Sequence, residues 1–204
     1  MVKKVHSIAV LSIILSLCFL HPAAAASFSY TATVNIVIKR VYYLHRTALT
    51  TVTPAGELMN TTRPPSGQSE TTLAIARGGS AYFYTPQLSS RSVANGMWVL
   101  YVWASTVSSG SVSRLDVGIH VVSSDGSTVK ATIGTITGVV INYGYSERTI
   151  TISGSAATIG SGDRIRLTLY AETGGGNDNR GMRFYYDGYG AYETLYHETR
   201  LQLP

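Results

Sequence analysis

The stretch Met97 to Ser105, Met-Trp-Val-Leu-Tyr-Val-Trp-Ala-Ser, constrains the fold more than any other part of the chain. In an extended backbone Trp98, Leu100, Val102 and Ala104 point one way and Met97, Val99, Tyr101 and Trp103 the other. Both sets are apolar, whereas a half-exposed strand alternates apolar with polar residues. The run is also rich in β-branched and aromatic residues, so it reads as a central strand covered on both sides. A short buried helix is the alternative that periodicity leaves open for so few residues.

The rest of the chain supports the strand reading. Charged residues are 13% of the sequence, where a soluble domain carries roughly 25%. Gly, Ser, Asn or Asp punctuates the chain every ten or so residues, the rhythm of an all-β sandwich or barrel. Leu115, Val117, Ile119 and Val121 alternate with Asp116, Gly118 and His120, and Ser123-Ser124-Asp125-Gly126 then supplies a tight turn into Val129 to Ile136. Ile150 and Ile152 alternate with threonine and serine. Ile165, Leu167, Leu169 and Ala171 alternate with Arg164, Arg166, Thr168 and Tyr170, and Met182 to Tyr186 and Leu195 to Leu203 read as closing strands. Thr50 to Gly79 holds Pro54, Pro64 and Pro65 and admits only short strands such as Thr72 to Ala76. Nine to eleven strands result, enough for two packed sheets in one domain.

The N-terminus carries an address. Lys3 and Lys4, the apolar run Ile8 to Leu20 and Ala24-Ala25-Ala26 form a secretory signal pattern, so residues 1–26 are expected to be removed and residues 27–204 to form the mature domain. The apolar run is short of the roughly 20 residues that span a bilayer. Leu17 before Cys18 is unlike the small residue that a lipoprotein signal wants. The expected location is secreted or cell-surface, with no membrane span in the mature form. Cys18 is the chain's only cysteine and leaves with the signal, so the mature domain must be held by its core and not by disulfides. Loss of Lys3 and Lys4 takes Lys+Arg from 16 to 14 against 11 Asp+Glu, a net charge of +3. The arginines are scattered with no basic stripe, which argues against a nucleic-acid partner.

Three short stretches carry a resemblance. Tyr42-Tyr43-Leu44-His45 followed by Met59-Asn60-Thr61-Thr62, the Trp98 to Trp103 strand, and Gly162-Asp163-Arg164-Ile165 followed by Phe184-Tyr185-Tyr186-Asp187 resemble jelly-roll modules of prokaryotic secreted and cell-surface proteins, over about Tyr42 to Leu195. That resemblance implies a two-sheet jelly-roll-like β-sandwich and a surface location, and carries no catalytic residues. The layout of signal, long alternating strand and cysteine-free sandwich is similar to archaeal thread and bundling-pilus subunits. There, one subunit's N-terminal strand completes the next. The strand that would be donated is Phe28, Tyr30, Ala32, Val34, Ile36 and Ile38 with the polar residues between them. Pairing of this strand within its own sheet is the alternative.

Catalytic patterns are weak. There is no Gly-x-Ser-x-Gly elbow and no His-Glu-x-x-His; His197-Glu198 lacks the second histidine. A zinc site would need His45, His120 and His197 to converge, and the carboxylates Asp116, Asp163, Glu172, Asp187 and Glu193 are scattered. No cofactor is expected. Asn177, Asp178, Asn179 and Asp187 offer oxygen ligands suited to calcium but lack the EF-hand spacing. Tyr185, Tyr186, Tyr189 and Tyr192 with Asp187 could form a sugar-stacking platform, and tyrosine is also simply a good strand residue. Asn60-Thr61-Thr62 is an N-glycosylation sequon. The expectation is an exported, non-catalytic structural subunit partnered by other surface proteins or by copies of itself. The alternative is a carbohydrate-binding module that uses the C-terminal tyrosines on a polysaccharide.

Overall fold

A computed structural model describes residues 40–65, 68–173, 181–189 and 196–204, with the side chains of 189, 196 and 197 outside that description. All regular structure among them is β. The strands are β1 (Val41–Leu49), β2 (Gly56–Asn60), β3 (Thr71–Ile75), β4 (Ser80–Tyr84), β5 (Arg91–Val93), β6 (Gly96–Thr106), β7 (Val112–Val122), β8 (Val129–Asn142), β9 (Ser146–Gly154), β10 (Ala157–Ile159), β11 (Arg164–Ala171), β12 (Met182–Tyr186), β13 (Gly188–Tyr189), β14 (Tyr196–His197) and β15 (Arg200–Gln202). Hydrogen bonding runs in the order β3-β12-β6-β15-β1-β2-β4-β11-β7-β8, with β9 on the other edge of β6. All these pairings are antiparallel except β2 with β4. Two small pairs, β5 with β10 and β13 with β14, lie outside this ladder.

The ladder folds back on itself, so its two ends face each other as the layers of a β-sandwich. The Ser155 amide of the β9–β10 connection donates to the Ile133 carbonyl of β8 at 2.7 Å. Gly134 of β8 lies so close to β9 that a Cβ there would fall 2.7 Å from the Ser153 carbonyl oxygen. Between the layers one core gathers Trp98, Leu100 and Val102 of β6, Val117, Ile119 and Val121 of β7, Ile150 and Ile152 of β9, and Ile165, Leu167 and Leu169 of β11. Period-2 alternation placed these last three sets inward in the sequence, and all of them are buried; β7 also buries Gly118 and Val122 on its other face.

Met97 to Ser105 lies in a strand, β6, and not in a helix. It is central in pairing, with β9 along one edge and β12 and β15 end to end along the other. The buried Thr199 stitches that junction: its hydroxyl takes the Trp103 amide at 3.3 Å and donates to the Tyr185 carbonyl at 2.8 Å. The expected cover on both faces is not observed. Trp98 is fully buried, whereas Met97 is 52% exposed and Val99, Tyr101 and Trp103 are half-buried. The outward apolar set of β6 thus forms part of a surface.

The second half of the chain is more heavily stranded than expected. β8 runs on to Asn142 through bulges that let it follow the twist of β7. The turn at Ser123 to Gly126 forms as read, with Gly126 at φ 75° and Asp125 Oδ1 accepting from the Ser127 amide at 3.2 Å. Among the described residues no helix is long and apolar enough to cross a membrane.

Candidate ligand-binding face

On the outer face of β6, register decides what gathers. Directly opposed residues share a face, so Tyr185 of β12 and Glu147 of β9 flank Trp103, and Arg200 of β15 flanks Tyr101. Tyr145, just before β9, completes an aromatic row. Its ring centroid lies 5.5 Å from that of Trp103 and 4.4 Å from that of Tyr185, the latter contact edge-to-face. All three are half-buried, and Tyr143 beside them is 58% exposed. Polar groups rim the row. The Tyr145 hydroxyl donates to Glu70. The Arg200 guanidinium carbon sits 4.1 Å from the Tyr101 ring centroid, with Nη1 3.8 Å from both Glu147 and Glu198, and Arg63 pairs with Glu198. Burial raises the Tyr185 hydroxyl above its ordinary pKa, so that it stays a neutral donor.

A second polar cluster borders this face where β1 bulges. Between Leu44 and Ala48 the β1–β2 register shifts, which takes the Arg46 amide out of the ladder. Asp187 fills the gap: Oδ2 accepts that amide at 3.0 Å and Oδ1 accepts from His45 Nδ1 at 3.0 Å. Asp187 holds this position at φ 63°, in the left-handed region that Asp tolerates better than most residues. His45 Nε2 faces Asn60 Oδ1 at 3.1 Å and the Thr62 carbonyl at 3.0 Å, and Asn60 Oδ1 also accepts the Thr62 amide at 2.7 Å. Both ring nitrogens of His45 therefore lie within hydrogen-bond reach of oxygen atoms, Asp187 on one side and Asn60 with Thr62 on the other. Leu44 pairs with Met59 and Tyr43 with Asn60 across the ladder, so three of the short motifs that carry the jelly-roll resemblance converge in one clasp.

The tyrosine platform expected from the sequence is rearranged by strand parity. Tyr185 faces outward, but Tyr186, its neighbour, is 1% exposed and faces the core. Its ring meets Phe83 edge-on at 5.5 Å and its hydroxyl donates to Glu57. Tyr186 and Asp187 are thus not available to a ligand, the latter being 5% exposed and occupied by His45 and Arg46. Burial raises the Glu57 carboxyl above its usual range, opposed by the Tyr186 hydrogen bond, and the same burial pushes the Tyr186 hydroxyl far up. The Tyr189 side chain, Tyr192, the Asn177-Asp178-Asn179 loop and the strand Phe28, Tyr30, Ala32, Val34, Ile36 and Ile38 lie outside the described residues.

No protein-family model matches the chain, and no curated protein sequence does. Its fold matches that of a CocE/NonD family hydrolase from Staphylococcus aureus, with 13% identity and a TM-score of 0.59, over 87% of this chain and 38% of that one. An aminopeptidase from the marine sediment archaeon Thaumarchaeota archaeon matches with 12% identity and a TM-score of 0.57, over 82% and 37%. A CBM36 domain of a multidomain xylanase from the hindgut metagenome of Trinervitermes trinervoides overlays more loosely, with 11% identity and a TM-score of 0.32, over 82% and 97%. The chain is an all-β sandwich. It spans under two fifths of the length of the hydrolase and of the aminopeptidase, and at these identities the likeness is one of fold.

Sequence reading missed Trp103 and Tyr145 as surface groups. The parity of Trp98 and Trp103, five residues apart, already places the two rings on opposite faces, so burial of one implies the outward position of the other. Tyr145 carries no such signal, since only the β6–β9 register brings it alongside. Among the described residues no three His, Cys, Asp or Glu side chains stand together as metal ligands.

Proposed function

We propose that this chain is an exported, non-catalytic β-sandwich module whose outer sheet face binds polysaccharide. The observation that carries the reading is the contiguous, half-buried row Trp103, Tyr145 and Tyr185, with ring centroids 5.5 and 4.4 Å apart. Aromatic faces cover the apolar faces of sugar rings, while carboxylates, guanidinium groups and amides at the rim bond hydroxyls. Glu147, Arg200, Glu70 and Gln202 stand around this row or on the same face. The non-catalytic part is supported by the sequence, which has no Gly-x-Ser-x-Gly elbow and no His-Glu-x-x-His pattern. Export is supported by the signal pattern of residues 1–26.

Polysaccharide pull-down with the purified mature protein is the direct test. Binding is expected to a member of a broad glycan panel, to be lost in Trp103→Ala and Tyr185→Ala, and to survive with an unchanged thermal midpoint in Ser89→Ala, an exposed position outside the row. Failure of the wild type to bind any glycan ends this reading. A structural role in filaments rests on the alternating sequence Phe28 to Ile38. On that reading, deletion of residues 27–39 yields a soluble monomer that binds the matching synthetic peptide. A mature protein that stays monomeric at high concentration argues against it.

A further inference from the structure

The opposite layer of the sandwich carries an unusual set of donors on its own outer face. Arg164, Arg166, Thr168 and Tyr170 alternate outward along β11. Across the ladder His120 and Tyr84 flank Arg166, and Gly118 and Tyr82 flank Thr168. The His120 ring does not stay in its own row. It folds over Gly118, so closely that a Cβ on Gly118 would lie 2.5 Å from His120 Nε2, which sets the imidazole beside Thr168 at a cross-strand spacing of about 5 Å. From the other side the Arg166 guanidinium carbon leans to 5.5 Å from the Tyr82 ring centroid, toward the same row. The imidazole and the guanidinium group thus lie over the two residues, Gly118 and Tyr82, that pair with Thr168.

Two atoms of this set lack partners. Thr168 Oγ1 and Arg166 Nε are buried atoms with no hydrogen bond, a costly condition that native structures seldom leave unexplained. His120 Nδ1 lies 3.2 Å from Thr132 Oγ1, which leaves Nε2 over Gly118. Burial and the Arg166 charge both lower the His120 pKa, and in the tautomer where Nδ1 accepts from the Thr132 hydroxyl the ring proton stands on Nε2. The Arg166 guanidinium reaches the Gly126 carbonyl at 3.5 Å through Nη1 and the Tyr84 hydroxyl, which leaves Nε without a partner, and Arg164 gives its donors to the Ser124 and Thr85 carbonyls at 2.8 and 2.7 Å. Among the described residues neither guanidinium has a carboxylate partner. Asp116, one row further on the same face, accepts the Gly138 amide at 2.9 Å and lies against Glu172. A water molecule could fill the hydrogen bonds but leaves the charge uncompensated.

We propose that Arg166, Thr168 and His120 form a binding site for a small tetrahedral oxyanion, a phosphate or sulfate group. The Nε edge of a guanidinium, a hydroxyl and a ring N–H around one centre match three oxygens of such a group, and the guanidinium supplies the countercharge. The half-buried His120 ring, tied on one side to Thr132, is the cover that shifts to admit it. This site is independent of the aromatic row on the other layer.

The test is an NMR titration of the full mature protein with inorganic phosphate, sulfate and acetate at constant ionic strength, following the Arg166 Nε–H and His120 ring resonances. Saturable shifts confined to these groups are expected with phosphate or sulfate and not with acetate. Thr168→Val, nearly isosteric and without the donor, should weaken binding about tenfold, as loss of one charge-assisted hydrogen bond does. Arg166→Lys should weaken it further, because an ammonium group lacks the planar fork. A parallel titration with sulfated and unsulfated dextran separates a polymer-borne group from the free ion: tighter binding of the sulfated polymer than of inorganic sulfate assigns the former, and the reverse assigns the latter. Shifts that stay linear in anion concentration, shifts equal for acetate, or folded variants that bind like the wild type overturn the proposal. The wild-type titration decides alone if a variant does not fold.

Discussion

Trp98 and Trp103 sit on one strand with the same side chain and opposite surroundings, so truncating each in turn tests the fold and the binding face together. Trp98 is fully buried, and its ring packs so tightly on Gly154 that a Cβ there would lie 2.5 Å from the indole. A buried tryptophan removes about 150–250 Å² from water, which at about 25 cal/mol per Å² is worth roughly 4–6 kcal/mol. The extended-chain reference makes that an upper figure, and large-to-small aromatic truncations cost about 3–5 kcal/mol. Trp98→Ala should therefore cost about 3–5 kcal/mol. Trp103 is half-buried, and one side of its ring meets Tyr145. About half the area, with little cavity cost because the site opens to water, gives at most about 2–3 kcal/mol for Trp103→Ala. Urea denaturation at constant m-value measures both. Equal losses in the two variants, or a loss under about 1 kcal/mol for Trp98→Ala, would refute the assignment of the two faces. Glycan binding should show the opposite order, lost in Trp103→Ala and retained in whatever fraction of Trp98→Ala remains folded.

Two further outcomes follow from the clasp at the β1 bulge. Asp187→Gly should destabilise the fold by about 1–3 kcal/mol through loss of the His45 and Arg46 bonds, and Asp187→Ala by about 1 kcal/mol more because alanine is strained at φ 63°; equal midpoints in chemical denaturation would show that the backbone there relaxes. Glu57, whose carboxyl is held above its usual pKa mainly by burial, binds its proton more tightly folded than unfolded. Its contribution is therefore fully present below the unfolded value and is lost as pH rises through the folded one. Tyr186→Phe removes the donor that favours the carboxylate, so stability measured against pH should fall more steeply above the usual carboxylate range than in the wild type, and parallel curves would remove Glu57 as the cause.

Alternation made much of the sandwich readable. β7, β9 and β11 bury the residues that a period of two assigns inward, because each turns an apolar face to the core and a mostly polar one away from it, where the pattern is clear. The same rule misread the outer face of β6. Val99, Tyr101 and Trp103 are apolar by composition, but they project from a strand whose other face already fills the core. An apolar row turned outward looks in sequence like a strand buried twice, and only pairing tells the two apart. The short strands β2, β4, β5 and β10 escaped for a different reason. Between three and five residues show too little alternation to register, and they are fixed by partners far away in sequence.

The sites depended most on what a single sequence hides. His45, Asn60 and Asp187 belong to stretches singled out for their motifs, yet their joint role follows from the β1 bulge, which frees an amide for a distant carboxylate. That role also limits what they can do. The Asn60 carboxamide oxygen holds both the Thr62 amide and His45, so the residue that reads as a sequon is also a strut of the clasp. The clasp pins β1 to the turn after β12, and β12 in turn presents Tyr185 beside Trp103. Because neighbouring residues on a strand face opposite ways, the same tether that sends Tyr186 into the core against Phe83 holds Tyr185 outward at the aromatic row. A buried anchor at one position is thus what makes its neighbour a rigid surface group, and rigid rings lose little freedom when a ligand covers them.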